Sequence, residues 1–149
     1  MSDEAVNLES ACGVALKEWD AQVSGLLEGR TAVLVRKGGL YEQREGFEVR
    51  RDQFWLYPTF LHQNEAELNL EHHSGLRPDP SPGEVALSAY ATVEGVLKLE
   101  DLASARSLEG VQALNANSLE RRFLYKKRPV LHALLLRVYR TAPQPILET

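Results

Sequence analysis

The sequence predicts an α+β fold: a single domain built as a small mixed or antiparallel β-barrel with an N-terminal helix. Three observations predict it. An amphipathic stretch near the N-terminus precedes a series of short β-branched and apolar runs. Those runs lack the regular helical crossovers of a doubly wound parallel sheet, and a partly closed barrel is an economical way to hide strand edges. A chain of 149 residues suits one domain and buries about two-thirds of its unfolded surface.

Residues 1–29 are read as the N-terminal helix and 30–149 as the barrel. Leu16, Trp19, Val23, Leu26 and Leu27 recur at helical spacing, with Lys17, Glu18, Asp20 and Gln22 on the other face. Asp3 or Asn7 is placed to cap this helix and Gly29 to stop it. Thr31–Val35 reads as a strand broken by Gly38-Gly39. Phe47 and Val49 make a short alternating piece, and Gln53–Tyr57 a strand stopped by Pro58. Residues 62–73 turn polar, as a short helix or irregular excursion. Pro78, Pro80 and Pro82 make 77–83 an exposed loop. Glu84–Leu99 reads as one long strand bent by a bulge at Gly95, and Leu102–Leu114 as a short helix or two turns. Val130–Tyr139 is the last strand, its continuous apolar run implying burial on both faces or a barrel interior, and Pro143 and Pro145 end it.

The single cysteine, Cys12, excludes an intramolecular disulfide and a cysteine zinc cage, which suits a reducing cytoplasm. The acidic start MSDEAVNLES has no apolar signal core, and no apolar run is long enough to span a membrane. The net charge of −4 is unevenly distributed: residues 121–140 hold seven cations and no acid. That segment reads either as a local anion-binding surface or as a solvated cationic face.

Arg36-Lys37-Gly38-Gly39 offers two cations beside backbone N–H groups, which suits an anion, although the P-loop pattern is absent. Tyr57, Thr59, His62 and Gln63 follow one strand end, where they serve as ligand groups or as local structural hydrogen bonds. Phe123, Tyr125 and Tyr139 interleave with Arg121, Arg122, Lys126 and Lys127, a pattern that fits stacking on bases with cations on phosphates, or core aromatics between exposed cations. His72-His73 make a poor joint metal site, since adjacent side chains diverge. No G-x-S-x-G elbow and no cofactor motif is present, so no cofactor is expected. Glu45, Glu48 and Asp52 are the candidate ligands for a metal-dependent nuclease, but the Asp…Glu-x-Lys strand pattern is missing. A third option is a protein-interaction module using the acidic face of the first helix.

The segments ALKEW at 15–19, LLEGRTAVLVRKGG at 26–39, F-x-LYPT-x-x-HQ at 54–63 and KRPVLHALLLRVYR at 127–140 resemble the bacterial family called domain of unknown function 1802. The family name carries no function. More distantly, element order resembles PUA-like barrels of the ASCH and EVE type. That likeness implies a PUA-like barrel and a pocket that takes RNA or a modified base. Together the expectation is a non-catalytic module for RNA or another single-stranded nucleic acid. Arg36, Lys37, Gly38 and Gly39 would hold phosphate. Tyr57, Thr59, His62 and Gln63 would line the pocket, and Arg121, Arg122, Lys126 and Lys127 would form an outer surface.

Overall fold

The computed structural model of the chain describes residues 15–37, 41–44, 47–50 and 52–147. A five-stranded mixed sheet, in the order β1-β5-β6-β7-β2, forms a half-barrel. Its strands are β1 (Ala15–Trp19), β2 (Val33–Arg36), β5 (Gln53–Thr59), β6 (Glu84–Leu99) and β7 (Leu131–Leu147), while β3 (Tyr41–Arg44) and β4 (Phe47–Arg50) form a separate hairpin. Helix α1 covers Asp20–Leu27, α2 Leu102–Arg106 and α3 Ala116–Leu124.

The N-terminus departs from the sequence reading. Residues 15–19 are not helical: they pair in parallel with β5, from Ala15 opposite Trp55 to Trp19 opposite Thr59. Leu16 and Trp19 pack into different hydrophobic clusters, so both faces of this short strand are covered. Apolar residues three apart then look helical although the chain is extended. The helix begins at Asp20, and Asp20 and Gln22, assigned above to a solvent face, are buried. Gly29 does end it: its φ of 76° suits glycine, and its N–H donates to Leu26 O at 3.2 Å. The caps proposed at Asp3 and Asn7, and Cys12, lie outside the described residues.

Two clusters flank the sheet. Val23 and Leu26 of α1 pack with Leu34, Phe54, Leu56, Ala89, Ala91, Leu134 and Leu136. On the other side Leu119 and Phe123 of α3 pack with Val33, Val35, Leu99, Leu131 and Ala133. β2 is therefore buried on both faces, and so is β7 over residues 131–136 apart from the exposed Leu135, which accounts for most of its apolar run. Phe54, Leu34 and Leu134 are fully buried, and truncating any of them to alanine costs about 2–5 kcal/mol.

β6 runs its whole length, with the expected irregularity at Val93/Gly95 and a second at Leu87/Ala89. β7 does not stop at Tyr139. Thr141–Pro143 stand opposite Ser88 alone, and pairing then resumes, with Pro145 opposite Ala86. β2 pairs only with residues 132–135, so the prolines interrupt no second ladder. The excursion after β5 is two 3₁₀ turns, Glu65–Glu67 and Leu70–Gly75, and 77–83 is a loop. Helix α3 has no counterpart in the sequence reading; Asn115 Oδ1 caps it, accepting from Ser118 N–H at 2.9 Å.

Candidate functional site: a basic surface beside the barrel seam

The two edge strands, β1 and β2, meet across the open side of the half-barrel. Arg36 at the end of β2 pairs with Glu18 of β1, and its Nη1 lies 3.5 Å from Lys17 O. Gln22 Nε2 lies 3.4 Å from the same carboxylate. Burial pushes the Glu18 carboxyl above its ordinary range, against the opposing pull of Arg36 and then Arg122. Beside it is a recess of about 230 Å³ lined by Lys17, Glu18, Trp19, Gln22, Thr59 and Arg122. The Arg122 guanidinium lies 5.6 Å from the centre of the Trp19 ring, a cation–π contact.

A second cavity, of about 520 Å³, is lined by Lys37, Arg121, Arg122 and Tyr125. Lys37 Nζ donates to Phe123 O at 2.8 Å, a carbonyl in the last turn of α3, and to Arg128 O beyond the helix. Desolvation first, and the Arg128 charge second, hold the Lys37 ammonium below the ordinary lysine range. Lys126 and Lys127 follow at φ of 59° and 55°, the left-handed region that most residues avoid. Both are exposed, and Lys126 Nζ lies 5.5 Å from the Tyr125 ring centre. Arg121 and Arg122 lie 3.8 and 3.4 Å from the Glu67 carboxylate. Arg122 thus borders both cavities.

The residues singled out in the sequence divide by location. Arg36 and Thr59 reach the seam: Arg36 through Glu18, and Thr59 by lining the recess opposite Trp19. Lys37 joins Arg121, Arg122 and Tyr125 at the second cavity. Tyr57 pairs with Lys17 along the strands, and Lys17 Nζ lies 5.2 Å from its ring centre. Gln63 Oε1 accepts the Ala21 N–H at 2.9 Å, supplying a side-chain cap that Trp19, at the N-cap, does not give α1. His62 is exposed in the turn after β5, with φ of 67°. Gly38 and Gly39 lie outside the described residues. Of the nuclease candidates, Glu45 also lies outside them, Glu48 is on β4 and Asp52 is exposed. Among the described residues no group of three His, Cys, Asp or Glu side chains is arranged to hold a metal. Glu18, Trp19 and Gln22 were not singled out as site residues. The signal was a carboxylate beside a tryptophan at the end of ALKEW, and reading that segment as a helix turned it into a solvated face.

The family model named Domain of unknown function (DUF1802) matches residues 15–148. The chain belongs to this family. No curated protein matches it. Among solved structures, this DUF1802 chain is similar to the ASCH protein from Zymomonas mobilis, with 18% identity, a TM-score of 0.51, and 89% of this chain and 71% of that chain covered. Two mutants of that protein match with 17% identity and TM-scores of 0.51 and 0.50, covering 89% of this chain and 73% and 72% of theirs. The likeness is of fold, and it makes the half-barrel an ASCH-type, PUA-like one. No helix among the described residues is long and apolar enough to cross a membrane.

Proposed function

We propose that the chain is a non-catalytic module that binds single-stranded RNA across the basic surface and the seam recess. One observation carries this reading: Arg122 lines both the cavity with Lys37, Arg121 and Tyr125 and the recess with Lys17, Glu18, Trp19, Gln22 and Thr59. A run of phosphates along Arg121, Arg122, Lys126 and Lys127 leads from there to a polar, aromatic-walled recess. The exposed Tyr125 ring offers a stacking surface for one base. Trp19 and Thr59 wall the recess, and the Glu18 carboxylate and Gln22 amide supply hydrogen-bonding groups for a second base. Arg36 serves by fixing Glu18, and Gln63 by fixing the start of α1. His62 stands exposed in the turn that follows Thr59.

The test is anisotropy of a labelled single-stranded RNA with Arg122→Glu and, as a control, Arg106→Glu, whose guanidinium pairs with Glu120 on the surface. The expected result is at least a tenfold loss for Arg122→Glu, since it removes a cation and adds an anion where the two cavities join, and little change for the control. Equal affinity of both variants and the unaltered chain sinks the proposal.

A further inference from the structure

A cavity of about 580 Å³ lies against α1 and shares no lining residue with the recess or the cavity beside Tyr125. Three arginines from separate segments line it: Arg30 just after α1, Arg77 after the second 3₁₀ turn, and Arg140 where β7 falls out of register with β6. Ser24, Ser74 and Ser88 add hydroxyls, none of which hydrogen-bonds another described residue. Ser88 and Arg140 both stand at the β6–β7 irregularity, a device that re-aims side chains at sites.

The charges do not cancel. Asp20, 3% exposed, takes a two-pronged contact from Arg77 Nε and Nη2 at 2.9 and 3.1 Å. Glu28 meets Arg30 Nη1 at 2.8 Å. Arg140 has no ion pair among the described residues. Arg30 Nε and Nη2 are both buried and have no acceptor. Buried guanidinium N–H groups without an acceptor are costly, and the acceptor that matches their planar fork is an oxyanion. Beside the arginines the accessible apolar wall is formed by Leu27, Pro58 and Ala86, over the buried Val23 and Leu56. A bare inorganic ion leaves that wall uncovered, whereas an organic phosphate covers it.

We infer that this cavity binds a small organic phosphate monoester of nucleotide size, its phosphate held by Arg30, Arg77 and Arg140 and its organic part against Leu27, Pro58 and Ala86. Arg77 is already oriented by Asp20. Arg30 brings Nε and Nη2, the two nitrogens that still have no acceptor, and Arg140 supplies positive charge with no carboxylate partner among the described residues.

The experiment is calorimetric titration of the full chain with a nucleoside monophosphate, the matching nucleoside, and glycerol phosphate. The nucleoside monophosphate is expected to bind, and the uncharged nucleoside at least tenfold more weakly. Glycerol phosphate, which keeps the ester but lacks the ring, is expected to bind between the two. Arg140→Gln and Arg30→Gln should each weaken the nucleotide about tenfold, in line with one lost charge-assisted contact. Melting of Arg140→Gln without ligand checks that its fold is intact, and Arg140→Lys should recover part of the affinity. Arg121→Glu should leave nucleotide binding unchanged, and Arg140→Gln should leave RNA binding unchanged, so this site and the RNA surface fail independently. The inference is overturned if nucleoside and nucleotide bind alike, if Arg140→Gln and Arg30→Gln both bind like the unaltered chain, or if Arg121→Glu abolishes nucleotide binding.

Discussion

The face around α1 and the face around α3 both carry cations, but they use them differently. Around α1 the charge turns inward: Asp20 is buried against Arg77, His72 is buried beside Arg30, and Glu28 holds one edge of that guanidinium. Around α3 it turns outward: Lys126 and Lys127 stand exposed on a turn, and Arg121 is held only loosely by Glu67. An ion removed from water needs its partner to stay folded, whereas an exposed ion is dispensable to the fold and available to a ligand. Removing the partner of a buried ion on the first face should therefore act on stability, and removing an exposed cation on the second on RNA binding.

The sharpest break of that contrast is Arg77→Ala. It strands the Asp20 carboxylate in the interior, and urea unfolding should show a loss of about 3–5 kcal/mol. A loss below about 1 kcal/mol would mean that Asp20 finds another partner or water. Gln63→Ala comes next. Removing the acceptor of the Ala21 N–H should cost about 0.5–2 kcal/mol, with the effect largest in hydrogen exchange of the first turn of α1.

A pH series tests the buried histidine. Desolvation, and then Arg30, lower the His72 pKa below its ordinary value of 6.5. The unfolded chain therefore binds the proton more readily, and this contribution to stability is present above 6.5 and drains away as pH falls from there toward the depressed folded value. His72→Gln should flatten that part of the profile. Glu18 has the opposite sign: its raised pKa makes stability fall as pH rises from its ordinary value of 4.5 through the folded value. Glu18→Gln should remove that slope. The smallest effect on folding belongs to the α3 face, where Arg121→Glu with Lys126→Glu should change stability by no more than about 0.5 kcal/mol.

Much of the fold was legible because its signals are local. Alternation marked β6, three prolines marked the loop at 77–83, and Gly29 marked the end of α1. The misreadings came from non-local partners. β1 is five residues long and becomes a strand only by pairing with β5, some forty residues away. β7 continues past Pro143 because β6 remains beside it. Helix α3 had a readable signal that was missed, Asn115 followed by Leu119 and Phe123 four residues apart. For the site, the strand end at Arg36 and the cationic segment were visible as composition. Their meeting at Arg122 was not, since it depends on how α3 packs on β1 and β2. Gln63 illustrates the same limit: a polar residue after a strand reads as a ligand group, and its work as a cap appears only once Ala21 lies beside it.

The salt dependence of single-stranded RNA binding by the unaltered chain and by the Arg121→Glu, Lys126→Glu pair tests the central claim most directly. If these cations meet phosphates, the plot of log affinity against log salt loses about 1.4 in slope, about 0.7 for each of two contacts, and affinity falls at low salt while melting is unchanged. An identical slope and affinity in both proteins would contradict the account.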